Sequence, residues 1–350
     1  MGLYIGNNNN KINKIFINPS GEMKRVTSVW VNRVGMPAKV FSLNQSIDPS
    51  IDPDTIAPIN EIGNWDYTLN ENNDTITLNY WTNSYYKGNV IVYAHYKVGE
   101  KIYRTKLSNN DNKRSSRYMF CNARIYGSIS FQSGIDTSDV TCMSYMFNQA
   151  VSDADSSIIL DNLDTSHVTD MSSMFYNCNC YNCPIDVTPL NVSNVTNMGG
   201  MFSGYMGTTI IGLDKLDTGK VIDVSNMFSY CDNLKLINFI KYGSNLATME
   251  YVFINCKKLT SVIFPKTFTT RQVSNYYQLF YGCSELTSLD LTSFATPSYQ
   301  NKDEDWKMVY GMFGGADKLS TVYVDKDLWT VPRDSYGMFD TSSTAQFIYK

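Results

Sequence analysis

Residues Leu163 to Cys178 read LDTSHVTDMSSMFYNC, and this stretch returns down the chain. Ile135 to Phe147 reads IDTSDVTCMSYMF, Leu190 to Phe202 reads LNVSNVTNMGGMF and Leu216 to Phe228 reads LDTGKVIDVSNMF. The closing Met-Phe pair recurs at Met119-Phe120, Met312-Phe313 and Met338-Phe339, with Val252-Phe253 and Leu279-Phe280 as weaker copies. Successive phenylalanines lie 27, 28, 27, 26, 25, 27, 33 and 26 residues apart. A fixed period in the twenties marks a stack of small units, a solenoid. Stacked repeats usually build binding surfaces rather than catalytic pockets.

A second pattern follows the dipeptide. Leu234, Ile237 and Phe239 share the spacing of Leu259, Val262 and Phe264, of Leu286, Leu289 and Leu291, and of Leu319, Val322 and Val324. Residues two apart face one side of a strand and bury together, so this is the strand half of a leucine-rich repeat. In the other half Val168, Met171, Met174 and Phe175 recur at three and four, which predicts one to two turns of α or 3₁₀ helix. Asp164, Thr165 and Ser166 are its candidate caps. The expected fold class is therefore an α/β leucine-rich-repeat solenoid of about nine repeats over residues 113–350, preceded by small all-β modules.

Upstream, the texture changes. In residues 1–43 Ile15-Phe16-Ile17-Asn18 is echoed fourteen residues on by Val29-Trp30-Val31-Asn32, which reads as short strands in hairpins. Two or three hairpins are marginal alone, so this segment is expected to attach to something else. Residues 44–58 hold Pro49, Pro53 and Pro58 and read as a linker. Residues 59–112 alternate around Trp65–Leu69, Thr75–Tyr80, Val90–Ala94 and Lys101–Leu107, which predicts an antiparallel β module capping the array.

Composition narrows the function. The net charge of −4 and pI near 5.3 argue against nucleic acid as a partner. No apolar run approaches a transmembrane helix, so no membrane insertion is expected. The opening MGLYIGNNNN has no basic and apolar leader pattern. No phosphate-cradling glycine motif appears and no cofactor is implied.

Several residue types invite chemistry. His167 fills a variable slot where other copies carry Asp139, Asn194 and Lys220, and His95 follows a strand pattern. Neither sits in a triad-like motif. Asp136, Asp164 and Asp217 share one register; paired carboxylates can hydrolyse glycosides, but a ladder of turn-capping aspartates is the simpler reading. Asp153, Asp155 and Asp161, or Asp303-Glu304-Asp305, lack a full calcium pattern. Cys178, Cys231, Cys256 and Cys283 each fall three residues after a repeat phenylalanine and read as small buried hydrophobes. Cys178, Cys180 and Cys183 together offer three thiols that can hold zinc with an outside ligand; the repeat register of Cys178 favours a core role and no metal.

The better candidates are surfaces. Outward strand positions Lys235, Leu236 and Asn238, Thr260, Ser261 and Ile263, Thr287, Ser288 and Asp290, and Ser320, Thr321 and Tyr323 predict a mostly small, hydroxyl-rich sheet face for a glycan or protein. The long interval before Phe313 predicts an aromatic loop with Tyr299, Asp303, Asp305, Trp306 and Tyr310 as contact residues.

The units LDTSHVTDMSSMFYNC and CSELTSLDLTSF (Cys283 to Phe294) resemble the BspA-like leucine-rich-repeat surface proteins. Asn64 to Trp81 and Gly99 to Leu107 resemble the β-rich lead-in that precedes such repeats. The resemblance spans roughly Glu61 to Lys350 and implies a right-handed solenoid that binds proteins, carbohydrates or cell surfaces without catalysis. Members normally carry an export signal and often an anchor, and neither pattern is seen. The fourteen-residue repeats also resemble segments of structural proteins from phages of gut Firmicutes. A virion protein leaves by lysis and needs no leader. The expectation is thus a non-enzymatic virion component, tail- or head-associated, homo-oligomeric in its assembly and attached to other virion proteins through residues 1–43. Its solenoid would meet a host-surface protein or glycan. The alternative is a bacterial surface adhesin, and the remote one a glycan hydrolase.

Overall fold

Apolar positions 0, 3, 4 and 7 describe one face of a helix, but they equally describe two consecutive β-turns whose ends point inward. The chain takes the second course. A computed structural model describes residues 4–8, 11–16, 28–33, 36–42, 51–58, 60–109, 115–239, 245–265, 267–296, 308–330, 337–339 and 344–350. Among these the Met-Phe half of the repeat is a run of turns in every interior coil, and its expected helix is absent. The amide of Met146 donates to the carbonyl of Met143 (3.2 Å) and that of Ala150 to Phe147 (3.1 Å), each closing a turn. The third residues of these turns, Tyr145 and Gln149, have φ of 57° and 48°. A left-handed residue at that place is what a type II turn requires. The amides between them reach across instead: Tyr145 to the Ser172 carbonyl (3.1 Å), Phe147 to Met174 (2.9 Å) and Gln149 to Tyr176 (3.0 Å). Alternate amides bond within the coil and to the next coil, so buried backbone groups find partners without a helix.

Inside the turns the side chains form columns. Phe120, Phe147, Phe175, Phe202, Phe228, Phe253, Phe280, Phe313 and Phe339 stack in one uninterrupted series, with centroids 4.8 to 6.0 Å apart. Interplanar angles are 8° or less down to Phe313, and the final pair is tilted by 24°. Met143, Met146, Met171, Met174, Met198 and Met201 are fully buried beside them. Offset aromatic stacking adds about 0.5–1.5 kcal/mol per pair beyond the area buried. At about 4.8 Å per coil the array is roughly 40 Å long.

The chain divides into two units, Met1–Pro53 and Asp54–Lys350. In the first, β1 (Tyr4–Asn8) pairs antiparallel with β2 (Lys11–Phe16), and β3 (Ser28–Arg33) with β4 (Met36–Ser42). In the second, residues at the end of the expected linker are docked: the Ala57 amide donates to the His95 carbonyl (2.9 Å) and Ala57 is buried. Then come β5 (Trp65–Asn70), β6 (Thr75–Trp81), β7 (Val90–Val92), β8 (His95–Val98) and β9 (Lys101–Ser108). A short helix, α1 (Ser115–Tyr118), leads into the first coil, followed by β10 (Ile129–Phe131) and β11 (Asp136–Asp139). β5–β6 and β8–β9 are antiparallel, but β6 and β11 both run parallel to β9. The module is therefore mixed rather than antiparallel. The cause is the excursion between β6 and β9, which lays residues 81–92 against the first coil: Trp81 donates to Met119 (2.8 Å), Tyr85 to Ala123 (3.0 Å), and β7 pairs parallel with β10.

The strand half of the repeat is short. β12 (Ile185–Asp186) pairs with β13 (Ile210–Ile211), β14 (Leu236–Asn238) with β15 (Ser261–Ile263), and β16 (Ser288–Leu291) with β17 (Thr321–Val324), which pairs with β18 (Gln346–Tyr349). All are parallel, as stacked coils demand. Ile237, Val262, Leu289 and Val322 point into the core. Phe264 is only half-buried, packed against Phe239, Phe268 and Phe294.

Candidate functional site

The polar groups that hint at chemistry in the sequence are tied into the coils. Asp136 accepts the Ser138 amide (3.0 Å), Asp164 that of Ser166 (2.9 Å) and Asp217 that of Gly219 (3.4 Å). Hydrogen bonds from Ser138 and Ser166 hold the Asp136 and Asp164 carboxyls below their ordinary range. A second ladder, unforeseen from sequence, runs through Asp170, Asn197, Asp223 and Asn275, each accepting the amide two residues on at 2.8 to 2.9 Å. His167 is exposed and touches Ser166; His95 lies on β8 with Nδ1 2.9 Å from the Thr55 hydroxyl. Asp155 accepts from Asn182 (2.7 Å), and Asp153 accepts the Asp155 amide (3.4 Å).

The cysteines follow the same logic. Cys231, Cys256 and Cys283 are buried, and their thiols donate to the carbonyls of Phe202, Phe228 and Phe253 at 3.1, 2.9 and 3.1 Å. Cys178 and Cys180 are buried with sulfurs 3.4 Å apart, whereas the Cys183 thiol donates to the Asp155 carbonyl (3.3 Å). The three therefore do not converge, and among the described residues no three His, Cys, Asp or Glu side chains form a metal-holding group.

The sheet face is where accessible side chains gather. Lys235, Asn238, Thr260, Thr287, Ser288, Asp290 and Ser320 are exposed, and Ser261, Thr321 and Tyr323 are half-buried. They do not make a uniform hydroxyl surface. Thr260 spends its hydroxyl on the Lys235 carbonyl (2.9 Å) and Ser320 on that of Thr287 (3.1 Å), both on the preceding coil. Between them stand aliphatic side chains: Ile211 is 42% exposed, Leu236 51% and Ile263 53%. Unlike a buried strand position, each places half of a branched side chain in water, which apolar burial alone does not explain.

The sheet is also broken. β15 belongs with β14 and β16 with β17 and β18, in separate sheets. A cleft of about 810 Å³ opens there, taking in Ser261, Ser288, Asp290 and Tyr323 from the expected face together with Arg271 and Lys350. Lys350 Nζ lies 3.6 Å from Asp290 and 4.0 Å above the Tyr323 ring. Burial raises the Asp290 carboxyl, but the Thr292 hydroxyl and amide and the Lys350 ammonium outweigh it and hold the group below its usual range. Arg271 is exposed, with no hydrogen-bond or ion-pair partner among the described residues. Its sequence signal was a departure: Ser138, Ser166, Ser193 and Gly219 fill the equivalent slot, between a capping residue and the buried valine.

Of the aromatic loop, Tyr299, Asp303, Asp305 and Trp306 lie outside the described residues. Tyr310 is 41% exposed on the Met-Phe side, its ring stacked on Tyr277 at 5.8 Å, away from the cleft.

Comparison with solved structures returns repeat proteins. A leucine-rich cell surface protein of Faecalibacterium prausnitzii A2-165 aligns over 82% of this chain and 93% of its own at 16% identity, with a TM-score of 0.24. A leucine-rich repeat protein of Bacteroides ovatus ATCC 8483 aligns over 82% and 98% at 13% identity, also with a TM-score of 0.24. No curated protein matches the chain. Three overlapping segments, residues 105–209, 141–261 and 242–347, match one family across more than half of the sequence. The chain belongs to the family described as "Mycoplasma protein of unknown function, DUF285".

Proposed function

We propose that this chain is a non-catalytic binding protein that works at a cell surface and holds its partner on the sheet face of the solenoid. The observation that carries the reading is the half-exposed aliphatic side chains Ile211, Leu236 and Ile263 on successive coils of the sheet face, with Ile263 at the Arg271 cleft. The ordered aspartates cap turns and the buried thiols bond to backbone, so the groups with catalytic potential serve the scaffold. The sequence resemblance to BspA-like surface proteins supports the location. No helix among the described residues is long and apolar enough to cross a membrane.

A virion component is the second reading, favoured by one observation: residues Met1–Pro53, with their fourteen-residue repeat, form a unit of their own. That unit would then attach the solenoid to other virion proteins. An antibody against the solenoid, applied to intact cells, separates the two. Labelling of unlysed cells is expected. Its absence, with the protein enriched in density-gradient-purified particles, would overturn the surface reading in favour of the second.

A further inference from the structure

We infer that the cleft between β15 and β16 binds a carboxylate carried by an extended polypeptide whose aliphatic side chains lie along Ile211, Leu236 and Ile263. The inference rests on the binding reading and names the partner's chemistry. Charge selects the carboxylate. Among the described residues two cations, Arg271 and Lys350, and one anion, Asp290, line the cleft, and Lys350 already pairs with Asp290. Arg271 is left over, exposed and without a partner among the described residues. A planar guanidinium matches a carboxylate with two parallel hydrogen bonds, which an ammonium cannot do. Arg271 also replaces the small residue found in four other copies, so the coil architecture does not require it.

The aliphatic patch selects a polypeptide over a glycan. Leu236 lies opposite Ser261 and Asn238 opposite Ile263, so Leu236 and Ile263 sit diagonally on consecutive coils, and Ile263 forms part of the cleft itself. One coil step of about 4.8 Å and an offset of two strand residues put them roughly 8 Å apart, two to three residues of extended chain. Alternate side chains of such a segment can cover the patch and deliver an acidic residue to Arg271. A sugar prefers an open aromatic platform and free hydroxyls. Here the Tyr323 ring lies beneath Lys350, and the Thr292 hydroxyl in the cleft is spent on Asp290 (2.6 Å).

The test uses the full chain over two arrays. One carries short peptides with aliphatic residues at alternate positions, ending in either glutamate or glutamine. The other carries neutral and uronate-bearing oligosaccharides. Retention of the glutamate peptides is expected, weakened about tenfold or more by glutamine, by Arg271→Gln in the protein, and by Ile263→Ser. Arg271→Lys should fall between. Equal retention of glutamate and glutamine peptides, retention insensitive to Arg271→Gln, no peptide retention, or retention of uronates alone would each overturn the inference. Peptide binding by a protein that intact cells do not display would leave the inference standing and remove only the location.

Discussion

Replacing Phe228 with alanine tests the architecture at its centre. The ring is fully buried, 5.7 Å from Phe202 at 4° and 5.7 Å from Phe253 at 2°, with the edge of Phe239 at 6.3 Å. Truncating a buried phenylalanine costs about 3–5 kcal/mol in lost burial and residual cavity. Two stacked neighbours lose their partner as well, each worth about 0.5–1.5 kcal/mol beyond area. In a stack whose stability is a sum over nearest neighbours, such a loss in the middle also divides the array. Denaturant unfolding should lose at least about 3 kcal/mol, and hydrogen exchange should show the amides around Phe147 and Phe175 opening separately from those around Phe280. Adding Phe253→Ala should cost less than the sum of the two single changes, by about the stacking term. A loss under about 1 kcal/mol, or strictly additive losses, would refute the column as a stabilising element.

Three further outcomes follow from the turns and the docked segment. Gly204→Ala places a Cβ at φ 69° against Asn177 Oδ1 and should cost at least about 1–2 kcal/mol; Gly219→Ala, with its nearest contact at 3.5 Å, should stay within about 0.5 kcal/mol in the same melts. Asp223→Ala removes acceptors for the Ser225 amide (2.8 Å) and hydroxyl (2.7 Å) and should cost about 1–2 kcal/mol, while Asp223→Asn should restore most of it because Asn197 and Asn275 already serve that role. His95 is held below its ordinary value of 6.5, chiefly by burial and then by Arg104. A depressed folded value means the unfolded chain takes up the proton first, so this contribution is complete above about pH 6.5 and is lost as pH falls through the folded value. Protection of the Ala57 amide, which bonds to the His95 carbonyl, should therefore fall on acidification once exchange is normalised to the intrinsic rate at each pH, and His95→Gln should flatten that dependence.

The period, the strand half and the core columns were legible because burial repeats wherever the coil repeats. Every phenylalanine, methionine and cysteine assigned inward by spacing is inward, apart from the half-buried Phe264 and Phe339. The helix was misread for a physical reason: helices and paired β-turns share the inward spacing of three and four. The distinguishing mark lies two residues before and after each phenylalanine from Phe147 to Phe313, where the backbone is left-handed. Those places hold Ser173 and Asn177, Gly200 and Gly204, Gln278 and Gly282, and Gly311 and Gly315. Glycine and asparagine recurring there are a turn signal, and no helix favours them. The sheet face was only half legible. Alternation located Ser261, Ser288, Asp290 and Tyr323, but the break between β15 and β16 depends on how successive coils splay. Arg271 and Lys350 reach the cleft from outside the strand pattern.

The bonds from Phe147 to Met174, Phe175 to Met201 and Phe202 to Met227 all point along the axis of the stack. A pull on the two ends therefore loads them one coil at a time, like a zipper, and not all together as in a sheared sheet. Each coil that lets go frees a loop of about 27 residues, roughly 90 Å of slack at full extension. Such a chain lengthens in steps under tension and rewinds on the coils that remain.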